Sequence, residues 1–265
     1  MPPPSLPSEI FGMFIEALGE DQDSLRACSL VSSVFRCLCC PILYRDIALD
    51  SDEKVDTFIE FGERSDALQH TKSLSLVDPG NPHGILDTIS QKASLETICL
   101  RQAQFDVEYL TAPLLSRPST VTVLVLRECR FRGFEDFVSF IQCFPLCEVL
   151  RLRGCTWVYD EDTTSKLGNP RVHDIAPAHL EITNDSPTEW GEEYCDQGKI
   201  VGAAWLDLAG LKSFTYADGG EAAIKPVLER IAACELPEEI DLAVPNARRS
   251  LGEYKPSLWS FVEFN

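Results

Sequence analysis

Pairs of apolar residues separated by one position recur along most of the chain, and each pair predicts a short strand. The pairs lie at Ile47/Leu49, Leu74/Leu76, Ile98/Leu100, Leu124/Leu126, Leu150/Leu152, Leu180/Ile182, Phe214/Tyr216 and Ile240/Leu242. Successive pairs are 24 to 34 residues apart, as from Leu74 to Ile98 and from Leu180 to Phe214. Alternate side chains of a strand point to opposite faces, so both members of a pair are expected to face a core. A repeat of this length predicts a solenoid, in which stacking buries the apolar face of every unit.

The segments between the strands are expected to return along the opposite side of the solenoid, in part as helices. The spacing of one helical face occurs in three of these segments. The sets are Phe134, Phe137, Val138 and Ile141; Val55, Phe58 and Ile59; and, after Pro226, Val227, Leu228 and Ile231. Strands that alternate with helices predict the α/β class.

The N-terminal segment has a helical rather than a strand pattern. A first helix is expected to open at Pro7 and to end at Gly19, with apolar residues at spacings of three and four. A second helix, capped by Asp21 or Asp23, is expected to run to Pro41, which interrupts it before a third short apolar element at 42–44. Two or three short helices cannot bury so many apolar side chains among themselves. The surplus must be covered either by the rest of the chain or by a partner.

The amino-acid sequence of this N-terminal segment resembles an F-box, and that of fungal F-box proteins in particular. The resemblance rests on Leu6-Pro7-Ser8-Glu9-Ile10, on the stretch from Asp23 to Val31 and on Leu43-Tyr44-Arg45-Asp46-Ile47; Phe35 stands where many F-boxes have Trp. It implies that this module packs on the Skp-type linker subunit of an SCF ubiquitin ligase, and through it joins a cullin. The contacts carried over are Leu6, Pro7, Ile10, Ile15, Leu18, Leu25, Leu30, Val31 and Phe35. The alternative is a plain helical hairpin that caps the domain behind it.

The repeated motif, which reads apolar-x-x-apolar-x-apolar or part of that, resembles a leucine-rich repeat; we call it the repeated phrase. Cys129 and Cys155 each follow the second leucine of a phrase by three residues, where that family uses Asn or Cys to bond the turn. The expected fold is therefore α/β, with an N-terminal helical F-box followed by a leucine-rich-repeat-like solenoid that has strands on its concave face. The expected layout is a lead-in at 1–4, the F-box at 5–48, the solenoid at 49–253 with an irregular stretch at 156–206, and a C-terminal cap at 254–265.

Arginines recur at one register of the predicted concave face. Arg101, Arg127 and Arg153 end three successive strands, and Arg151 lies beside Arg153. Like charges on neighbouring strands, about 4.8 Å apart, repel unless carboxylates such as Glu128 and Glu148 or a bound anion neutralise them. Two interpretations are possible. These four arginines bind an acidic or phosphorylated segment of a target protein, or they pair with carboxylates on a solvated face. Farther along, Glu181, Glu239 and Asp241 make the same face acidic.

The overall charge and the cysteine content narrow the choice of partners and compartment. The chain has 42 acidic and 23 basic residues, a formal net charge of -19, which disfavours nucleic acid and anionic membranes as partners. No stretch approaches the roughly 20 apolar residues of a membrane span. Eleven cysteines and no recognisable secretory leader predict reduced thiols in the cytoplasm or the nucleus.

The sequence contains none of the following common enzyme motifs: phosphate-binding glycine loops, nucleophile elbows or the zincin motif. The four histidines are scattered, and the C-x-x-C at Cys37–Cys40 has no second ligand pair nearby in sequence. We therefore expect no enzyme activity, no cofactor and no metal. We interpret the chain as a binding adaptor that holds a target protein near the ligase. The alternative is an acidic leucine-rich-repeat scaffold or inhibitor that binds a protein partner without a ligase.

Overall fold

The structure is a computed structural model, and it describes residues 7–19, 21–80, 82–105, 119–157, 175–183, 206–217, 231 and 237–242. Its helices are α1 (Ser8–Leu18), α2 (Gln22–Val31), α3 (Ser33–Leu43), α4 (Asp52–Arg64), α5 (Pro82–Ser90) and α6 (Phe134–Ile141), with a 3-10 helix at Asp66–His70. Its strands are β1 (Asp46–Leu49), β2 (Ser73–Val77), β3 (Thr97–Arg101), β4 (Gln104–Phe105), β5 (Val123–Arg127), β6 (Arg130–Phe131), β7 (Val149–Arg153), β8 (Thr156–Trp157), β9 (His179–Thr183), β10 (Ser213–Ala217) and β11 (Glu239–Leu242). The α/β class is confirmed.

Eight of these strands form one parallel sheet in the order β1-β2-β3-β5-β7-β9-β10-β11. The pairing is in register with the repeated phrase, since Leu74 aligns with Ile98, Ile98 with Leu124, and Leu124 with Leu150. The apolar pairs of β2, β3, β5, β7, β9 and β10 are all 0 or 1% exposed. Each such side chain contributes about 1.5–3 kcal/mol when it leaves water, so the phrase supplies much of the stability of the sheet.

The helices between the strands close the other side of this core. Helices α4 and α6 coincide with the two helical faces predicted from the sequence, and Phe137 and Ile141 of α6 are fully buried in the same cluster as the strand leucines. The third predicted helix, after Pro226, lies outside the described residues except for Ile231, which is buried. The cap expected at 254–265 also lies outside them.

A second, three-stranded sheet of order β4-β6-β8 follows the turn after the main strands, and the sequence did not predict it. It presents Phe105, Phe131 and Trp157, each 2% exposed or less, to α6. The rings of Phe105 and Phe131 stack with centroids 4.5 Å apart, and Phe137 of α6 meets Phe131 edge-on at 5.2 Å. An aromatic core thus fixes α6 against these short strands.

The turns between the two sheets repeat the same backbone geometry. Asp78, Gln102, Glu128 and Gly154 each follow a main strand directly, and each has a positive φ between 46 and 58°. Their N–H groups donate to the last carbonyl of the next strand at 2.7–2.8 Å. In this way the turns are bonded to one another as regularly as the strands.

The buried thiols of Cys129 and Cys155 lie just beyond these turns. Cys129 Sγ contacts the carbonyl oxygen of Leu100 at 3.5 Å, and Cys155 Sγ contacts that of Leu126 at 3.6 Å. Each cysteine therefore bonds the preceding repeat, which confirms the structural interpretation of these two residues.

The N-terminal helices have a small core of their own, formed by Ile15, Leu25 and Cys39. Asp21 caps α2, as one of the two predicted candidates. The prediction of one helix from there to Pro41 is wrong. The backbone extends at Ser32, whose side chain accepts a hydrogen bond from Phe35 N–H and starts α3, and Pro41 lies within the last turn of α3.

The main sheet is continuous across the stretch that looked irregular in sequence. β9 pairs with β7 on one side and with β10 on the other, with Leu180 aligned to Leu150 and to Phe214. Of the irregular stretch itself, the structure describes only Thr156–Trp157, residues 175–183 and Leu206. Within the described part of the chain, none of the helices has the length and apolar character needed to cross a membrane.

Candidate interaction surfaces

The apolar side chains that face solvent are concentrated on the N-terminal helices. Seven large hydrophobic residues are exposed among those the structure describes, and only Leu146 lies outside α1–α3. We call the other six the apolar surface: Ile10, Met13 and Phe14 on α1, Leu30 and Val31 on α2, and Val34 on α3. Leu30 is 79% and Val31 71% exposed. Patches of this kind are typical of sites that another protein covers.

The apolar surface exists because the three short helices carry apolar residues on more sides than they can bury. α1 buries Ile15, while Ile10 and Phe14 of the same helix remain about half exposed at 47% and 55%. Phe35 of α3 joins the helices, with its ring 5.1 Å from that of Phe11 and 6.5 Å from that of Phe14. The surface therefore belongs to packed helices and not to loose side chains.

The helical module is attached to the sheet by contacts just after α3. The ring of Tyr44 stacks on that of Phe61 of α4 at 5.3 Å, and the carbonyl of Arg45 accepts from both Lys72 and Ser73 N–H at 2.8 and 3.0 Å. β1, which begins at Asp46, is already part of the main sheet. The sheet thus starts within the residues assigned from sequence to the helical module.

The nine residues predicted as partner contacts fall into four groups. Pro7, Ile10, Leu30 and Val31 are exposed, Leu18 and Phe35 are half-buried, and Leu6 lies outside the described residues. Ile15 and Leu25 are 2% and 0% exposed, so their assignment as partner contacts is wrong for this conformation. They form the core of the module with Cys39, and partly buried side chains such as Leu18 and Leu38 pack against them.

Three exposed residues, Met13, Phe14 and Val34, were missing from the predicted contacts. Phe14 and Val34 lie within the two segments whose patterns predicted helices. What sequence alone did not show is which side of each helix faces its neighbours. That depends on the break at Ser32, which reorients α3 relative to α2.

The second candidate surface is the face of the main sheet whose side chains alternate with the buried pairs; we call it the open strand face. Arg101, Arg127 and Arg153 align across β3, β5 and β7, as predicted. Arg153 donates from Nε to Glu181 Oε1 at 2.7 Å and also contacts that carboxylate through its guanidinium NH2 group. Arg151 Nε lies 3.3 Å from Glu181 Oε2. One carboxylate of β9 therefore forms ion pairs with two of the four arginines and offsets part of their charge.

Arg101 and Arg127 differ from that pair. Both are exposed, and neither forms an ion pair with the residues that the structure describes. Glu128, which was expected to balance them, instead accepts a hydrogen bond from Gln102 Nε2 at 2.8 Å. The interpretation as a solvated, internally paired face therefore fits Arg151 and Arg153, and the anion-binding interpretation fits Arg101 and Arg127.

The far end of the open strand face is acidic. Glu239 and Asp241 of β11 are exposed and, among the described residues, have no ion-pair partner. Between them and the arginines, His179 of β9 and Ser213 of β10 share a hydrogen bond of 2.8 Å between Nδ1 and Oγ. The face thus changes sign from β3–β5 to β11.

The thiols have a structural character in most positions. Nine of the eleven cysteines are described, all as free thiols. Burial raises the pKa of Cys143 to about 11 and that of Cys147 to about 12. Burial also raises the pKa values of Cys39 and Cys40 in α3, whereas Cys37 is exposed. Over the described residues, no three His, Cys, Asp or Glu side chains converge in a way that would hold a metal ion.

No protein-family model, curated protein or solved structure gives a significant match to this chain. Its function must therefore be argued from the apolar surface and the open strand face.

Proposed function

We propose that this protein is the substrate-recognition adaptor of an SCF-type E3 ubiquitin ligase. The N-terminal helices act as the F-box and bind a Skp-type linker subunit, which joins them to a cullin. The repeats act as a leucine-rich-repeat-like solenoid that binds a target protein. The observation that carries the proposal is the apolar surface on α1–α3, where six of the seven exposed large hydrophobic residues of the described chain lie.

The geometry of the helical module supports a docking role. Its three helices are short, with 11, 10 and 11 residues, and such helices are only marginally stable without tertiary packing. The core that holds them together has only three fully buried residues. Covering Leu30, Val31 and their neighbours with a partner would add apolar burial that the chain itself does not supply.

The repeat region supports the second half of the proposal. Its strands succeed one another at the spacing of the repeated phrase, its turns share one backbone geometry, and Cys129 and Cys155 bond the preceding repeat. These are features of leucine-rich-repeat architecture, in which neighbouring units bury one another and leave an open face for binding. Here that face carries charges of both signs that have no ion-pair partner in the part of the chain the structure describes.

The adaptor role needs no catalysis by this chain. Such a protein acts by holding the target and the ligase at the same time, which raises the effective concentration of one near the other. We assign it to the cytosol or nucleus, where reduced thiols persist.

Co-purification of the full chain with a linker subunit and a cullin tests the proposal. We expect a stable complex with the wild-type chain, loss of the complex for Leu30→Asp, and retention for the matched control Leu146→Asp, which places the same charge on an exposed leucine outside the helices. Absence of any association between the wild-type chain and the linker subunit overturns the ligase role. In that case the acidic repeat scaffold without a ligase is the remaining function.

A further inference from the structure

The open strand face carries two basic side chains at one end and two acidic side chains at the other, and neither pair has a counter-charge among the described residues. Arg101 and Arg127 lie directly opposite each other on β3 and β5, and Glu239 and Asp241 lie on β11. All four side chains are exposed, and none has an ion-pair partner among the described residues.

The two arginines repel each other. Neighbouring strands are about 4.8 Å apart, and two positive charges at such distances cost free energy even near water. The adjacent strand shows how the fold removes this cost, since Glu181 bonds both Arg151 and Arg153. Among the described residues, no carboxylate does this for Arg101 and Arg127. An arginine pair of this kind offers two planar donor groups to carboxylates or phosphates.

The open strand face directly beside Arg101 and Arg127 is built from small or apolar side chains. Cys99 of β3, Val123 and Val125 of β5 and Val149 of β7 are half-buried or buried on this face. They leave a low, uncharged floor beside the arginines.

Between this floor and β11, Arg151 and Arg153 are bonded to Glu181, and His179 is bonded to Ser213. These groups already have partners within the chain, so the charges left open to a peptide stand at the two ends of the face.

We infer that the open strand face binds an extended segment of a partner protein that carries acidic groups at one end and basic groups at the other. The acidic end, with carboxylates or a phosphate, contacts Arg101 and Arg127, and the basic end contacts Glu239 and Asp241. This inference rests on the proposed function in taking the partner to be the target. Its charge pattern comes from the sheet alone.

The sheet also sets the separation of the two ends. From β5 to β11 there are four strand-to-strand steps, through β7, β9 and β10. At about 4.8 Å a step this is roughly 19 Å, and an extended chain advances about 3.3 Å per residue. The acidic and basic groups of the bound segment are therefore expected to lie roughly six residues apart.

Selection of a displayed library of random peptides on the full-length protein tests the inference. We expect enriched peptides to combine an acidic and a basic group at about that separation. With Arg127→Glu the acidic preference is lost, and selected peptides bind roughly tenfold or more weakly, because the change removes a charged hydrogen-bonded pair and places a like charge opposite the acidic group. Arg64→Glu makes the same change at an exposed position of α4 and is expected to leave the selection unchanged.

Three results overturn the inference: enriched peptides without a charge pattern, a pattern that survives Arg127→Glu, or acidic peptides that show no basic group and no dependence on Asp241→Arg. Thermal unfolding of each variant establishes that the comparison is made on folded protein. Linker-subunit binding is measured on the same preparations. If selection fails while the linker subunit still binds, only this inference fails. If the linker subunit never binds while selection succeeds, the peptide site stands and the ligase role fails.

Discussion

Truncating Leu30 and Val31 together is the sharpest test of the apolar surface. These residues end α2 and are 79% and 71% exposed, so they contribute little to the fold. Replacing either by Ala is neutral or favourable for helix propensity. We expect the free energy of unfolding of Leu30→Ala/Val31→Ala to stay within about 0.5 kcal/mol of the wild-type value, as for other exposed positions.

The expected loss of partner affinity follows from the same exposures. Full burial of a Leu or Val side chain is worth about 1.5–3 kcal/mol, and truncation to Ala of side chains that are three-quarters exposed removes about 1–2 kcal/mol of this at each site. Together the two changes cost about 2–4 kcal/mol, which is roughly a 30- to 700-fold rise in Kd for the linker subunit. Isothermal titration calorimetry or surface plasmon resonance with the purified linker subunit measures this range.

Two controls separate binding from folding. Leu146→Ala truncates an exposed leucine away from the helices and is expected to leave the Kd unchanged. Leu25→Ala removes one of the three residues in the core of the module and is expected to lower its stability by about 2–5 kcal/mol. An unchanged Kd for Leu30→Ala/Val31→Ala, or a loss of stability as large as that of Leu25→Ala, refutes the assignment of these residues to a docking surface.

Other predictions concern the turns, the thiols and the open strand face. Gly154→Ala places a Cβ at φ 58° and is expected to cost about 1–2 kcal/mol in chemical denaturation; an unchanged midpoint contradicts a left-handed turn there. At neutral pH iodoacetamide is expected to modify Cys37 well before Cys143 and Cys147, whose pKa values burial raises to about 11 and 12, and peptide mass mapping would expose the opposite order. Glu181→Ala removes the carboxylate that pairs with Arg151 and Arg153 and is expected to tighten binding of acidic peptides selected on this protein; weaker binding argues that Glu181 itself contacts the peptide.

The strands were predictable because a single local rule decides them. Leu74, Ile98, Leu124 and Leu150 each begin an apolar–x–apolar pair, and burying one member in a sheet places the other on the same face. Helix α6 was predictable for a similar reason, since Phe137 and its neighbours recur at helical spacing. In both cases the pattern lies within a few residues of sequence.

The features that sequence missed depend on residues far apart or on backbone conformation. β4, β6 and β8 are two residues long, which is too short for any periodicity, and they form a sheet only through pairing between repeats that are distant in sequence. The turns use Asp78 and Gln102 at positive φ, where Gly would have been the recognisable signal. The helix break at Ser32 was obscured because apolar residues continue on both sides of it.

The site residues divide along the same line. The register of Arg101, Arg127 and Arg153 followed directly from the repeat and is confirmed. Which of them form ion pairs did not follow, because Glu181 lies 28 residues beyond Arg153 in the chain and becomes its neighbour only through the pairing of β7 with β9.

The distribution of exposed apolar residues supports an adaptor over a simple capping role for the helices. The repeat region closes its own core so well that, in its described part, only Leu146 remains as a large exposed hydrophobic residue. The helical module has a separate core, and apart from its attachment near Tyr44 and Arg45 it keeps its apolar surface uncovered by the described repeats. A capping module would bury those side chains against the domain that it covers. Helices that leave these side chains exposed, beside repeats that close their own core, are suited to hold a second protein without occupying the open strand face. Simultaneous binding at two separate surfaces is the physical requirement for an adaptor.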